Sequence, residues 1–338
     1  MKTDGINLQS IRAKAEELSK YIIRTPTTKL NSQFISELLG NSEVFLKLEC
    51  LQHTGTFKAR GALSVARQIP MDKKKFGITA ASAGNHAIAS AWAAKQLNMS
   101  AHVVMQSSAN PFRIKAAKAQ GAQITLKEAG APLFAEAERL VKDEKRTFIH
   151  PFEGMHTSLG ASGVGLELME DISNLDAVIV SVGGGGLISG VAAAVKEINP
   201  NCKVYGVEPV GANSMSQSIL KGEPITLTKV ETIADSLSPP MSLPLGLALC
   251  QKYVDEIVTV SDDLICTGMT LFQEEAKLAV EPAAGAAMAG MISPLRSKLK
   301  NKRVGLIVCG ANIDSESYSS FLSRGATNIH KLIEKIEC

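Results

Sequence analysis

The chain has 338 residues, of which 45% are hydrophobic, 20% charged and 4% aromatic. This is the composition of a globular protein with a large core, and it excludes a disordered or fibrous chain. The 36 Lys and Arg residues barely exceed the 33 Asp and Glu residues, and the charges are scattered. Neither nucleic acid nor a membrane surface is therefore an expected partner, and a small molecule is the expected ligand.

The cysteines and the N-terminus indicate the cellular compartment. The six cysteines lie far apart, without the paired spacing of a zinc site or a redox dithiol, which favours reduced thiols in a cytosol. The N-terminus has mixed charge and lacks the apolar stretch of a secretory signal. No apolar run reaches the roughly 20 residues that span a bilayer. We therefore expect a cytoplasmic protein.

Helical and β-rich segments alternate along the chain. Residues 7–22 carry apolar side chains at three- to four-residue spacing, which predicts an amphipathic helix. β-rich runs then recur at 43–48, 77–80, 101–105, 123–126, 177–182, 203–207, 256–260 and 303–309, and most are separated by segments of helical character, for example 87–97, 112–120, 131–141 and 187–197. This order predicts an α/β protein with two open, mostly parallel twisted sheets and helices on both faces.

No repeat or linker marks a simple boundary between domains. The predicted strands and helices between residues 54 and 151 are sufficient to form a separate compact sheet. We therefore predict a large domain of residues 1–53 and 152–338, with a small, mobile domain of residues 54–151 inserted in it. Ligand sites in such proteins lie at the carboxyl ends of strands and in the cleft between domains.

The first notable strand-to-helix turn carries Lys58, in the run TGTFKARGA at 54–62. A helix N-terminus disfavours a cation, and that field together with burial lowers the pKa of an amine. The neutral amine is the form that a Schiff base requires. A solvated surface lysine is the alternative on this turn alone. Arg60 is interpreted as a structural ion-pair partner.

The second turn, SAGNHA at 82–87, precedes an alanine-rich helical segment. Its small residues allow backbone N–H groups to approach a ligand, and a helix start suits a carboxylate. The alternative is an ordinary helix cap, and a lone His86 is more often structural than catalytic. The candidate substrate-binding residues of this turn are Ser82, Ala83, Gly84, Asn85 and His86.

The third turn is a run of four glycines after the apolar strand DAVIVSV. Its N–H groups can cradle a phosphate at the start of the next helix. A dinucleotide site is the rival interpretation, with Glu208 as the acidic residue about twenty positions on, and a purely structural turn is the third. The candidate phosphate-binding residues are Gly183, Gly184, Gly185, Gly186 and Leu187.

The fourth turn follows the last predicted strand and carries Cys309 beside Gly310. A thiol at a strand's carboxyl end can be a nucleophile, a ligand or a weak hydrogen-bond partner. No cation or base adjoins Cys309 in the sequence, so a neutral partner is favoured over a nucleophile. An inert buried thiol is the alternative.

The order of these four turns resembles fold-type II pyridoxal-phosphate enzymes of the threonine and serine dehydratase group. The resemblance covers nearly the whole chain and includes further short motifs. The matching pieces are TGTFKARGA (54–62), SAGNHA (82–87), HPF (150–152), GGGGL (183–187), GVEP (206–209), TIAD (232–235), VEPAAGAA (280–287) and CGANID (309–314). It implies that pyridoxal 5′-phosphate binds in the cleft between the two domains.

The resemblance also implies a role for each matching residue. Lys58 is expected to form a Schiff base with pyridoxal phosphate, and Phe57 to pack on the cofactor ring. Asn85 is expected to bind the cofactor's 3′-oxygen and Cys309 to face its pyridine nitrogen. The glycine turn is expected to bind the phosphate, and residues 82–86 the substrate carboxylate.

The reaction implied by the resemblance is the deamination of a β-hydroxy amino acid. Lys58 removes the α-proton, the β-hydroxyl leaves with a proton from the cofactor phosphate, and hydrolysis gives a 2-oxo acid and ammonia. L-Threonine, the expected substrate, gives 2-oxobutyrate, and L-serine gives pyruvate. A 3-hydroxyaspartate dehydratase is an alternative. A serine racemase is disfavoured, because Ala83 stands where racemases carry a serine.

Other interpretations and properties stay open. A cysteine synthase of the same fold lacks support around Lys58, whereas an NAD-binding oxidoreductase and an amino-acid sensor are rivals from other classes. The cation requirement is open, because Glu208 is present but Ser214 stands where some relatives carry an acid. A homodimer or homotetramer is expected from the frequency of such assemblies.

Overall fold

The computed structural model describes residue 3, residues 5–82 and residues 84–337, with side chains through residue 329. The α-helices in this part of the chain are α1 (Leu8–Leu18), α2 (Gln33–Leu38), α3 (Lys58–Ala66), α4 (Met71–Lys74), α5 (Asn85–Gln96), α6 (Pro111–Ala119), α7 (Ala131–Glu144), α8 (Met155–Asp171), α9 (Gly186–Ile198), α10 (Ser214–Lys221), α11 (Pro244–Tyr253), α12 (Asp262–Glu275), α13 (Pro282–Ile292) and α14 (Ser315–Glu337). The strands are β1 (Thr27–Lys29), β2 (Glu43–Lys47), β3 (Ile78–Ala81), β4 (Ala101–Gln106), β5 (Gln123–Lys127), β6 (Thr147–Phe148), β7 (Ala177–Ser181), β8 (Lys203–Pro209), β9 (Glu256–Val260) and β10 (Arg303–Ile307).

The strands form two sheets. The larger has the order β1-β2-β10-β7-β8-β9, and the smaller has the order β5-β4-β3-β6. Every pairing is parallel except that of β1 with β2. The predicted fold class is therefore confirmed. We call the larger sheet with its helices the large lobe, and the smaller sheet with α5, α6 and α7 the small lobe; the predicted domain boundaries stay a prediction.

The central strands of the large lobe are buried along their whole length. β7 has the sequence AVIVS, and each of its residues is buried, since α9 and α13 both contact this strand. Apolar residues on consecutive positions, rather than alternate ones, are typical of a parallel strand covered on both faces. Among the described residues, no helix is long and apolar enough to cross a membrane.

Element boundaries differ from the predicted ones where local signals are weak. The first helix ends at Leu18 rather than Ile22, because the chain turns there and Tyr21 N–H donates to the Leu18 carbonyl. β1 and β6 were not predicted. They have three and two residues, too few for a period-two pattern to show in the sequence.

The parallel topology gathers three of the four turns at one edge of the large sheet. The lysine turn follows β2, the SAGNHA turn follows β3, the glycine turn follows β7, and the Cys309 turn follows β10. In the large sheet β2, β10 and β7 are adjacent, so the carboxyl ends of these three strands lie along one edge. The SAGNHA turn meets this edge from the small lobe, since Asn312, just after β10, donates to Asn85, so the predicted site residues lie together between the lobes.

Candidate active site

The lysine turn is fixed against the end of β10. Thr56 forms an antiparallel bridge with Gly310, and Phe57 N–H donates to the Cys309 carbonyl at 3.1 Å. On the other side of the turn, Ala311 N–H donates to the Gly55 carbonyl at 3.0 Å. α3 then begins at Lys58 itself, as predicted. These backbone bonds bring Lys58 and Cys309 together although 250 residues separate them.

The Lys58 amine is desolvated and lacks a carboxylate partner in the described part of the chain. Its Nζ donates to the Pro151 carbonyl at 2.6 Å, and His86 and His150 line a small cavity beside it. Burial lowers the pKa of Lys58 from 10.5 to about 8, against the opposing influence of the Glu281 carboxylate. A far larger share of this amine is therefore neutral near neutral pH than for an exposed lysine, and the neutral form is the one that a nucleophile or base requires.

The glycine turn leaves no room for side chains. A Cβ on Gly184 would lie 2.3 Å from ring atoms of Phe152, and one on Gly186 would lie 2.8 Å from the Phe152 carbonyl oxygen. Gly185 has a φ of +89°, which other residues rarely adopt. The first N–H groups of α9 have no intrahelical partner and sit at the positive end of the helix dipole. The turn is thus suited to a phosphate.

Cys309 is buried at 3% exposure, and the pKa of its thiol lies well above the usual value. Burial is the main cause, and the neighbouring Glu281 adds to it. The thiol is neutral at physiological pH. It suits the predicted role of an uncharged partner and not that of a nucleophile.

The SAGNHA turn begins the small-lobe helix α5. Gly84 N–H donates to Ser82 Oγ at 3.1 Å, and Asn85 is the first residue of the helix. His86 Nε2 contacts the Ile149 carbonyl at 2.8 Å, and burial lowers the pKa of His86 to about 3, so the ring is neutral. This is the structural role considered for His86. Ala83, also predicted to bind substrate, lies outside the described residues.

Glu281 is a site residue to which the sequence analysis gave no role. Both of its carboxylate oxygens accept from Asn85 Nδ2, at 2.8 and 2.9 Å, and Asn312 Nδ2 donates to Asn85 Oδ1 at 2.9 Å. Burial raises the pKa of Glu281. The Asn85 amide is therefore already oriented by two partners. The signal was an acidic residue inside the apolar run VEPAAGAA, which is costly to bury without a function.

Arg60 has the structural role that the sequence indicated. Its guanidinium is fully buried between Glu49, at 2.8 Å, and Glu167, at 2.6 Å. Lys47 Nζ lies 2.7 Å from the second Glu167 oxygen and 2.7 Å from the Thr25 carbonyl, to which it donates. This network lies two residues beyond Lys58 and fixes the start of α3 against the large lobe.

Glu208 caps a helix. Its carboxylate accepts from Met215 N–H at 2.8 Å and from Ser216 N–H at 2.9 Å, in the first turn of α10, and burial raises its pKa to about 7. Because both carboxylate oxygens of Glu208 already accept from this helix, the carboxylate is poorly placed to bind a ribose hydroxyl. This argues against a dinucleotide site. Among the described residues, no group of three or more His, Cys, Asp or Glu side chains could hold a metal ion.

The residues at the cleft fit pyridoxal phosphate. The cofactor's aldehyde requires a neutral amine, which Lys58 supplies, and its phosphate requires free N–H groups, which the glycine turn supplies. The pyridoxal-phosphate dependent enzyme family matches residues 18–310 of the chain. The chain belongs to this family.

Individual relatives of this chain are named as amino-acid dehydratases, ammonia-lyases and racemases. A phenylserine dehydratase from Ralstonia pickettii is 40% identical over 94% of this chain and 97% of its own length. An L-threonine ammonia-lyase from Thermotoga maritima is 35% identical over 95% of this chain and 79% of its own length. The solved structure of maize serine racemase is 31% identical, with a TM-score of 0.87 over 96% of this chain and 99% of that one.

This pyridoxal-phosphate enzyme is therefore of fold type II and a member of the threonine and serine dehydratase family, as the four turns predicted. It uses pyridoxal 5′-phosphate, and its relatives include both ammonia-lyases and racemases. The predictions for the cofactor and the enzyme class are confirmed. The substrate, the roles of individual residues and the oligomeric state are separate questions.

Proposed function

We propose that this enzyme deaminates a β-hydroxy-α-amino acid, with L-threonine as the principal substrate and L-serine as a second. The observation that carries the proposal is the Lys58 amine, which is desolvated, has a pKa of about 8 and lies beside a neutral thiol and a glycine turn. The Thermotoga relative, named as an L-threonine ammonia-lyase, supports threonine. Elimination of water and hydrolysis then give 2-oxobutyrate and ammonia.

The chain's own residues account for cofactor binding. The N–H groups of residues 183–187 would hold the phosphate, Phe57 would pack on the ring, and Lys58 would be the covalent attachment point. Cys309, a neutral thiol, would be the partner of the ring nitrogen and would supply no charge to keep that nitrogen protonated. When bound, the cofactor withdraws electrons from the substrate's α-carbon and so makes its proton acidic.

Substrate binding and proton transfer are assigned to the small lobe and to Lys58. The N–H groups of the turn at 82–86 bind the carboxylate at the start of α5. Asn85 is oriented by Glu281 and Asn312, and its Nδ2 also lies 3.2 Å from Ser236 Oγ, so a bond from Nδ2 to the cofactor's 3′-oxygen would replace one of these contacts. Lys58 Nζ takes the proton from Cα as a general base. Closure of the lobes excludes water from this proton transfer.

A substrate panel tests the proposal. Purified enzyme is incubated separately with L-threonine, L-serine, 3-hydroxyaspartate and 3-phenylserine, and 2-oxo acid, ammonia and enantiomer content are measured. We expect the highest kcat/KM with L-threonine and no racemisation, since residue 83 is an alanine without an acid or base group. Absence of 2-oxo acid with every member of the panel would disprove the proposal.

A 3-phenylserine dehydratase is the second candidate. The observation in its favour is the Ralstonia relative, named as a phenylserine dehydratase, which matches 94% of this chain at 40% identity. In that case 3-phenylserine is turned over with a higher kcat/KM than L-threonine and gives phenylpyruvate. The catalytic roles proposed above are the same for both substrates, so the panel distinguishes them by specificity alone.

Substitution of Gly184 tests the phosphate turn. In G184A the added methyl group would meet the Phe152 ring at 2.3 Å, so the turn must shift, and we expect weaker binding of pyridoxal phosphate. The measurement is cofactor titration of the apoenzyme. The double variant G184A/F152A removes the obstructing ring and is expected to regain affinity relative to G184A. Unchanged affinity in G184A would contradict the assignment.

The pH dependence of cofactor incorporation tests the state of Lys58. Attachment of the aldehyde requires the deprotonated amine, so its rate is expected to rise with pH and to level off above a midpoint near 8. An exposed lysine would give a midpoint near its ordinary value of about 10.4. The rate is followed by visible absorbance after pyridoxal phosphate is added to the apoenzyme. A midpoint above 10 would show that Lys58 is solvated.

A further inference from the structure

Arg113 reaches from the small lobe across the cleft. It lies on α6, and its side chain is only 6% exposed. Its guanidinium makes a two-pronged ion pair with Asp235, whose side chain is 52% exposed, with the second prong at 3.1 Å. Nε and a terminal nitrogen also donate to the Asn312 carbonyl, at 3.2 and 3.0 Å. All of these partners belong to the large lobe.

The same guanidinium lies against the SAGNHA turn. A Cβ on Gly84 would be 2.9 Å from a terminal nitrogen of Arg113 and 3.0 Å from its Cδ. The glycine therefore permits the arginine to contact the backbone of the turn to which we assign the substrate carboxylate. Arg113 thus contacts the proposed substrate turn and the large lobe at once.

Asp235 belongs to segment 232–238, which is anchored to the large lobe at both ends. Asp262, at the start of α12, accepts from Thr232 Oγ1 at 2.7 Å and from Ile233 N–H at 3.0 Å. At the other end of the segment, Leu237 Cα would be 3.1 Å from a Cβ on Gly183. Segment 232–238 therefore packs directly on the phosphate turn, so the Arg113–Asp235 pair joins the two ligand-binding turns.

A second set of bonds runs in parallel across the cleft. Asn85 Nδ2 lies 3.2 Å from Ser236 Oγ, and Arg113 lies 3.9 Å from the Glu281 carboxylate that orients Asn85. Without the Asp235 charge, Glu281 would be the acid nearest to Arg113. Asp314 also acts on the Arg113 guanidinium, but more weakly. The ion pair and the Asn85 bonds are therefore coupled through adjacent residues.

We propose that Arg113 is a positioning residue that, through Asp235, holds the small lobe closed on the substrate and keeps Gly84 of the SAGNHA turn in its binding conformation. The role of this turn rests on the proposed function. Lobe opening breaks the two-pronged ion pair with Asp235 and both hydrogen bonds to the Asn312 carbonyl, contacts that Arg113 makes only while the lobes lie together. The pair therefore favours the closed state, in which the substrate turn and the phosphate turn lie at their working separation.

Kinetics of the variants R113Q, D235N and R113Q/D235N test this role. We expect each single variant to raise KM by about tenfold or more, with a smaller change in kcat and an unchanged visible absorbance of bound cofactor. The double variant is expected to resemble the singles, because a pair that acts as one unit is lost only once. R113K, which keeps the charge but not the two-pronged geometry, is expected to fall between R113Q and wild type.

Arg139 offers a control at the surface, with a side chain that is 45% exposed. It is also a small-lobe arginine paired with carboxylates, but its partners Glu136, Asp143 and Glu144 lie on the same helix and do not cross the cleft. R139Q is expected to leave KM and kcat near the wild-type values. Equal effects of R113Q and R139Q, or independent and additive effects of R113Q and D235N, would overturn the proposal.

Hydrogen exchange of the holoenzyme without substrate supplies a readout independent of turnover. Both R113Q and D235N are expected to speed amide exchange in two segments, 111–119 of the small lobe and 232–238 of the large lobe. Faster exchange confined to the mutated segment would overturn the proposal. If wild-type enzyme deaminates no hydroxy amino acid, the proposed function fails, whereas the exchange result still decides whether the pair closes the cleft.

Discussion

Replacement of Lys58 by alanine is expected to lower kcat/KM for the β-hydroxy amino acid by at least about 10²- to 10⁴-fold, the contribution of a positioned general base. The variant loses the amine that lies in the cleft with a pKa of about 8, and with it the proposed attachment point of the cofactor. The visible absorbance of covalently bound pyridoxal phosphate should disappear as well. Release of 2-oxo acid and the absorption spectrum are measured on the same preparation.

Lys221 is the control for this experiment. Its side chain is 62% exposed, and it pairs with Glu223 at the surface. K221A is expected to keep both the absorption band and the turnover of the wild type. A circular dichroism spectrum of K58A that matches the wild type excludes unfolding as the cause of its inactivity. Full turnover by a folded K58A would disprove the proposed mechanism.

Replacement of Arg60 by alanine is expected to have the largest effect on stability, about 3–5 kcal/mol of the free energy of unfolding, as for other buried pairs that lose one partner. The substitution leaves two buried carboxylates, Glu49 and Glu167, without their shared cation. Lys47 still pairs with Glu167, so most of the lost stability comes from Glu49, which is left buried without a cation. Urea denaturation monitored by circular dichroism measures the effect.

Arg24 supplies a comparison at the surface. It also bridges two acids, Glu170 and Asp171, but its side chain is 53% exposed. Water already solvates these charges, so R24A is expected to change the free energy of unfolding far less than R60A. If the two variants are equally stable, the buried network around α3 is not what holds the start of that helix in place.

The strands and helices that carry the site could be predicted closely from the sequence. β9 was predicted with its observed bounds, 256–260, and α9 was predicted at 187–197 and forms at Gly186–Ile198. Continuous apolar runs bounded by glycines or charges mark these elements clearly. The short strands β1 and β6 could not be predicted, since their place in a sheet depends on the partner strand and not on their own pattern.

The pairing of side chains across the cleft could not be predicted. Glu281 bonds to Asn85, 196 positions earlier in the chain, and Arg113 bonds to Asp235, 122 positions later. The motifs VEPAAGAA and TIAD contain Glu281 and Asp235, but the residues around each motif do not indicate which side chain the acid will bond to. Arg113 lay in a segment whose pattern indicated only a helix.

The sequence by itself determined which chemical groups stand at the carboxyl ends of the strands: an amine after β2, glycines after β7 and a thiol after β10. Strand, turn and helix are local features, so their signals are present in neighbouring residues. Only the tertiary structure decided the electrostatic state of these groups. The pKa of Lys58 falls to about 8 because segments distant in sequence remove its water, and Asn85 is oriented because Glu281 and Asn312 arrive from another lobe. Desolvation and long-range hydrogen bonding depend on which segments meet, and that depends on the whole chain.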